Sequence, residues 1–246
     1  MFSDQELERY SRQLILPEID LAGQEKLAAS SVLIIGAGGL GNPAALYLTG
    51  AGVGEIVIAD HDHVEISNLH RQLAFRQNDC GKSKAQALQQ QLQQINPQVR
   101  VRAHDHRVDA AWLEQAVPPV KLVLDCTDNF QTRNLINRAC FLHRVPLVSA
   151  AAIRFAGQLV TLDFRQPQSP CLACLFGESE QDEESCSRFG ILGPVVGLMG
   201  TLQALQAIKL LVGLPMAAQL MTFDGLALRW QTHAVPRDPR CPCCGS

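Results

Sequence analysis

A chain of 246 residues, 47% hydrophobic and 18% charged, can bury a sizeable core in one large α/β domain or two small ones, which excludes a mainly disordered protein. A net charge of −3 gives no global pull toward nucleic acid or anionic lipid, so any basic site has to be local. The polar, acidic start MFSDQELERYSRQ lacks the apolar stretch of a signal peptide, and nine cysteines then point to metal or thiol chemistry in the cytoplasm rather than a disulfide framework.

Residues 4–14 and 23–29 read as short helices ahead of the main fold. The run 31–36 predicts a first strand, followed by a helix from the glycines to about Ala51, and EIVIAD ends a second strand at Asp60. In the Gln-rich stretch before Pro97, Ala85, Leu88, Leu92 and Ile95 keep the helical period, and the proline stops that helix. A strand at 98–103, a helix at 109–117, the strand KLVLDC (121–126), a helix at 130–142 and the strand PLVSAAA continue the alternation. Such alternation predicts an α/β fold with a Rossmann-like, doubly wound, mostly parallel sheet, its nucleotide-binding part at about 30–152. From about 153 the pattern changes to an antiparallel extension: the strand GQLVTLDF, a cysteine-bearing loop, a long helix from 191, and short strands near 219–224 and 226–231. The whole chain, 1–246, reads as a single domain. The helix run 191–213 is long enough for a membrane span, but Pro194, Gln203, Gln206 and Lys209 interrupt it, which favours burial in a core or subunit interface.

Gly36-Ala37-Gly38-Gly39-Leu40-Gly41 satisfies G-x-G-x-x-G, with Asp60 at the end of the next strand. The glycines let backbone amides approach phosphate at a helix N-terminus, and the acid can hold a ribose; NAD and ATP satisfy this equally. Three motifs farther along the chain favour ATP. SNLHRQ (67–72), GKSK (81–84) and DCTDN (125–129) place Arg71, Lys84 and Asp128 after successive strands, where strand ends converge on a crevice. Two cations and a carboxylate able to hold Mg²⁺ suit nucleotidyl transfer; hydride transfer needs none of them, and the chain has no YxxxK pattern. Taken singly, Arg71 and Lys84 could be solvated charges, and the Asp128-Asn129 pair could merely cap the following helix.

Cys171-x-x-Cys174 and Cys241-x-x-Cys244 have the spacing of a split four-thiolate zinc site, structural in type, one ion per chain. In the tail CPCC, Cys243 permits another register, but the second CxxC favours Cys241 with Cys244. Such a site would pin the C-terminus to the loop after residue 165.

RYSRQ, GAGGLG, SNLHRQ, DCTDN, the CxxC pairs and GPVVGLMGTLQALQAIK together resemble the MoeB/ThiF family, bacterial relatives of ubiquitin-activating enzymes that adenylate small sulfur-carrier proteins. The resemblance runs nearly end to end. It implies ATP-dependent attack by a carrier's C-terminal Gly-Gly carboxylate on the α-phosphate, giving an acyl-adenylate and pyrophosphate. It also implies nucleotide contacts at Gly39, Asp60, Ser67, Asn68, Leu69, His70, Arg71, Lys84, Asp128 and Asn129, and an Arg12 supplied across a homodimer interface. His70 departs from the glutamine common in SNLxRQ. Cys186, in the acidic stretch GESEQDEESCSRFG, matches a cysteine that in some members engages the activated carrier; an exposed spectator thiol is the other reading. SAAAIRFAGQL leans toward the molybdenum-cofactor carrier over the thiamine-pathway one, with a separate protein as sulfur donor. An NAD-dependent oxidoreductase with a zinc-held appendage, or a non-catalytic scaffold, are the alternatives; neither nucleic acid nor membrane is expected as a partner.

Overall fold

A computed structural model describes residues 2–177 and 189–245. Eight strands form one sheet in the order β3-β2-β1-β4-β5-β6-β7-β8. The parallel half contains β1 (Ser31–Ile35), β2 (Glu55–Ala59), β3 (Arg100–His104), β4 (Leu122–Asp125) and β5 (Leu147–Ile153). The antiparallel half adds β6 (Ala156–Leu162), β7 (Gln219–Asp224) and β8 (Arg229–Ala234).

Near-continuous apolar strands are what a sheet covered on both faces requires. Val32, Ile34, Ile56, Ile58, Leu122 and Leu124 face one layer, and Leu33, Ile35, Val57, Val123 and Leu147 the other, all buried. Each such Leu or Ile contributes about 1.5–3 kcal/mol by leaving water. The first layer includes α4 (Gly41–Gly50), α5 (Lys84–Ile95) and α9 (Gly193–Val212); the second is made by α6 (Ala110–Ala116), α7 (Phe130–Leu142) and α8 (Leu172–Phe176).

Among the described residues, α9 is the one helix with the length and apolarity to cross a membrane, but its Met199, Gln203 and Ala207 are fully buried within the chain. Gly200 permits close approach to α4, since a Cβ there would lie 2.2 Å from Leu40 O. Gln203, the polar break in the run, spends its Nε2 on the carbonyls of Asp125 (2.8 Å) and Val148 (3.1 Å), tying α9 to β4 and β5.

Three element boundaries differ from expectation, each for a local reason. The helix expected over 4–14 divides into α1 (Asp4–Arg9) and α2 (Ser11–Leu14) at Tyr10, whose buried ring packs on Gly52 and whose hydroxyl accepts from Asn96 Nδ2 at 2.9 Å. The next helix, α3 (Asp20–Ala28), begins before residue 23 because Asp20 Oδ1 accepts the N–H groups of Ala22 and Gly23. The last strand lies at 229–234 rather than 226–231. Asp224 Oδ1 accepts from the N–H of Leu226 and Ala227, and Leu228 has φ +50°, so residues 225–228 are spent on the turn.

Candidate active site

Strand order reverses direction at β1, with β2 on one side and β4 on the other, and ligand crevices form at such points. The glycine loop and the DCTDN turn meet there. Gly36 has φ +98°, and a Cβ on it would stand 2.5 Å from Cys126 O. A Cβ on Gly41 would stand 1.9 Å from Gly36 O, and one on Gly39 would press two Val196 methyls at 3.0 Å. The turn itself demands these glycines. Gly38 is different: its Cβ would meet only Gln72 Nε2, at 3.6 Å, so the space above it is open. The amides of Gly38, Gly39 and Leu40 have no acceptor among the described residues, and α4 has no side-chain cap. Open space, unpaired amides and a helix N-terminus fit a phosphate.

Asp60 is fixed beside this loop, its Oδ2 accepting from Ala37 N at 2.6 Å and its Oδ1 from Asp62 N at 2.8 Å. Burial pushes its carboxyl above the ordinary aspartate value. Asp62 in turn accepts from Lys84 Nζ at 2.8 Å. Lys84 is nearly buried at the first position of α5, so its charge is held by this carboxylate at the edge of the crevice.

The SNLHRQ segment closes over the loop against α9. A Cβ on Gly193 would lie 2.7 Å from His70 O, and Val196, one turn on, touches Gly39. Ser67 and His70 are exposed, and Leu69 packs against the core. Asn68 is buried, accepting from Glu65 N at 3.1 Å and donating to Ser67 Oγ at 3.4 Å, so its role in the nucleotide-free chain is to shape the turn. Arg71 Nη1 donates to Ser67 O and lies 2.9 Å from His70 Nε2. Buried Asn42 stitches the two segments together, donating to Ala37 O and accepting from Ala74 N, both at 2.8 Å. Gln72 is buried beside Gly38 with its Oε1 unpartnered among the described residues.

At the end of β4, Asn129 caps α7 by accepting from Thr132 N at 2.8 Å. Asp128 is exposed and accepts no hydrogen bond among the described residues, which fits a carboxylate available to Mg²⁺, an ion that takes one or two protein carboxylates beside phosphate oxygens. Arg12 is elsewhere. The neighbouring Gln13 donates to Ala51 O, at the end of α4 farthest from the glycines. Arg12 itself is exposed on α2, which docks at that far end of α4, a helix about 15 Å long.

The four predicted sulfurs converge, all within 4.8 Å of one another. Cys171–Cys174, Cys171–Cys241 and Cys174–Cys244 are 4.0, 3.6 and 3.3 Å apart, bracketing the roughly 3.8 Å edge of a tetrahedron with 2.3 Å zinc–sulfur bonds. This set can hold a metal. Asp238 N donates to Cys174 Sγ, and the Arg237 guanidinium reaches the carbonyls of Pro167 and Cys244. Cys243 stays outside the set, its sulfur accepting from Asn137 Nδ2 at 3.4 Å.

The ThiF family's sequence profile matches residues 10–243. The chain belongs to the ThiF family. Over 244 residues it is 48% identical to the sulfur carrier protein ThiS adenylyltransferase of Escherichia coli K12, covering 99% of this chain and 97% of that protein. It is 40% identical to the molybdopterin-synthase adenylyltransferase of the same organism over 247 residues, 99% of this chain and 98% of that one. The crystal structure of E. coli MccB with ATP superposes with a TM-score of 0.81 at 25% identity, covering 96% of this chain and 74% of that one.

Within this ThiF-family chain the glycine loop, Asp60, the 67–71 segment, Lys84 and the Asp128 turn share the sheet's C-terminal edge, while Arg12 does not. Cys186 and most of the acidic stretch around it lie outside the described residues. Sequence reasoning missed Asn42, Asp62, Gln72, Asp125 and Arg133. Gln72 belonged to a quoted motif, and Asn42 is the residue after the last loop glycine; both signals were there. Asp125 likewise opened a quoted motif, whereas its pairing with Arg133 had no signal, because pairing across a helix turn and a strand end shows only in three dimensions.

Proposed function

We propose that this chain is an ATP-dependent adenylyltransferase that activates the C-terminal Gly-Gly carboxylate of a ubiquitin-like sulfur-carrier protein. The observation that carries the reading is the open space and unpaired amides at Gly38, in a loop whose Gly36 abuts Cys126 in the same turn as the exposed Asp128. The amides of Gly38, Gly39 and Leu40 receive phosphate, Asp60 holds the ribose, and Ser67 through Arg71 with Lys84 line the phosphate path. A carboxylate terminus, with a reference pKa near 3.5, is already ionised at neutral pH, so no general base is required. Its oxygen attacks the α-phosphorus, the bond from α-phosphorus to the bridging oxygen breaks, and pyrophosphate leaves with that oxygen. Arg71 and Lys84 neutralise the charge that accumulates on the phosphates. Mg²⁺, held by Asp128 with Asn129 beside it, would supply further neutralisation of the triphosphate.

Zinc at Cys171, Cys174, Cys241 and Cys244 would hold the extension (153–246) to the nucleotide-binding part (30–152) as one domain. Because Arg12 lies far from its own chain's glycine loop, a homodimer that brings in the partner's copy completes the site. Unpaired cysteines suit a cytoplasmic setting. Cys186 is not needed for adenylation and belongs to the later sulfur step, for which a separate protein donates sulfur. Two carriers are in question. SAAAIRFAGQL speaks for the molybdenum-cofactor carrier, and the higher overall identity to the ThiS adenylyltransferase speaks for the thiamine-pathway carrier.

The test is ATP–pyrophosphate exchange with each purified carrier, beside binding of Mg·ATP and of NAD. Exchange with one carrier and binding of ATP alone are expected. Tight NAD binding with no exchange from either carrier would give the glycine loop to an oxidoreductase.

A further inference from the structure

Asp128 is solvent-exposed, yet the backbone on both sides of it is pinned. All three polar groups of Thr127 are engaged. Its N–H and Oγ1 donate to Asp125 Oδ1 at 3.1 and 2.6 Å, and its carbonyl accepts from Arg133 Nη2 at 2.9 Å. On the other side Asn129 caps α7. The same Nη2 also donates to Ala150 O on β5 at 3.0 Å, and Arg133 Nε pairs with Asp125 Oδ2 at 2.8 Å as an ion contact outside hydrogen-bond geometry, while that oxygen accepts from Ser149 Oγ at 2.6 Å. Asp125 is 0% exposed and Arg133 6%.

A buried ion pair is a poor source of stability, because desolvation offsets most of the attraction, and apolar residues of similar volume serve a core as well or better. An apolar pair could not grip a carbonyl. We propose that Arg133, with Asp125 as its counter-charge, is a positioning residue that fixes the Thr127–Asn129 turn and so presents the Asp128 carboxylate to the crevice. The proposal rests on the reading of Asp128 as the carboxylate that holds Mg²⁺. It asks for a planar fork whose Nη2 bonds two carbonyls while its Nε stands beside the carboxylate. Lysine keeps the charge but not the fork, so Arg133→Lys separates positioning from charge.

The experiment compares the full-length parent with Arg133→Lys, Thr127→Val and Asp128→Asn by two measurements. The first is hydrogen exchange of the 126–130 segment in nucleotide-free protein. The second is the Mg²⁺ dependence of pyrophosphate exchange, with kcat and the KM for ATP taken separately. Arg133→Lys is expected to speed exchange locally by about 10-fold, leaving β1 and β4 as protected as before. It should raise the Mg²⁺ needed for half-maximal rate and lower kcat by roughly 10- to 100-fold, with the KM for ATP within about 2-fold, the scale of a misplacement near 1 Å. Thr127→Val, which retains the ion pair, should move both readouts the same way by less. Parental local exchange and Mg²⁺ dependence in Arg133→Lys, or protection lost evenly across the core with kcat retained, would overturn the proposal. If Arg133→Lys does not fold, Asp125→Asn, which removes the counter-charge but keeps an acceptor for Thr127, decides by the same two readouts, parental behaviour in both overturning the proposal. A parental Mg²⁺ dependence in Asp128→Asn refutes the Asp128 reading itself; a shift there with parental behaviour in the other two variants refutes only the role of Arg133.

Discussion

Gly36 and Gly38 stand two residues apart in one motif and answer to different demands. Gly36, at φ +98° and facing Cys126 O, is required by the fold; Gly38 faces open space, so the fold alone does not demand it. Gly36→Ala is therefore expected to destabilise by at least about 1–3 kcal/mol and lower Tm by several degrees. Gly38→Ala should leave Tm unchanged and weaken ATP binding at least about 10-fold, because a methyl group occupies space that a phosphate needs to approach the amides. Thermal unfolding and calorimetric titration of both variants check this, and equal Tm losses would contradict it. A related contrast concerns thiols. Burial pushes Cys126 and Cys140 well above the ordinary thiol range, whereas Cys80 is exposed. Maleimide at pH 7 should label Cys80 and spare those two in native protein, as peptide mapping would show. At this scale the motif residues were legible because backbone approach to phosphate fixes both residue type and spacing. Arg133 was not, since a helix charge four residues past Asn129 looks like any solvated charge until its burial is seen.

Among the elements, the two cysteine knuckles were legible from spacing alone, because tetrahedral ligation constrains each CxxC. What spacing left open was the register in CPCC, and the geometry groups Cys241 and Cys244, not Cys243, with Cys171 and Cys174. Cys171→Ser should lose one zinc per chain and lower Tm, since ligation and folding of the extension are linked. Cys243→Ser should retain the metal. Elemental analysis of the two purified variants decides, and zinc retained in Cys171→Ser with zinc lost in Cys243→Ser would reverse the assignment. The alternation of strand and helix was also readable, whereas the last strand was placed three residues early. Leu226 and Leu228 look like strand residues, but the Asp224 carboxylate captures two amides and converts that stretch into a turn. Local propensity loses there to a side-chain cap.

For the whole molecule, the mostly parallel sheet and its antiparallel half were legible from the change in pattern after about residue 153. The place of Arg12 was not, since sequence order says nothing about which end of α4 the first helices dock against. Its distance from the glycine loop predicts complementation between protomers. Arg12→Ala and Asp128→Ala chains, each inactive alone, should on mixing and re-equilibration form heterodimers with one intact site, recovering about a quarter of parental activity at random 1:2:1 assembly. No recovery despite proven subunit exchange would place Arg12 outside the partner's site. In the proposed reaction this crevice adenylates a carrier's carboxylate through charge neutralisation centred on Asp128. Carrier-dependent ATP–pyrophosphate exchange by Asp128→Ala, with its fold verified, tests that most directly. The predicted result is a loss of at least about 10²- to 10³-fold relative to the parent, the scale of a single electrostatic contact in such sites. Exchange at the parental rate would contradict the account.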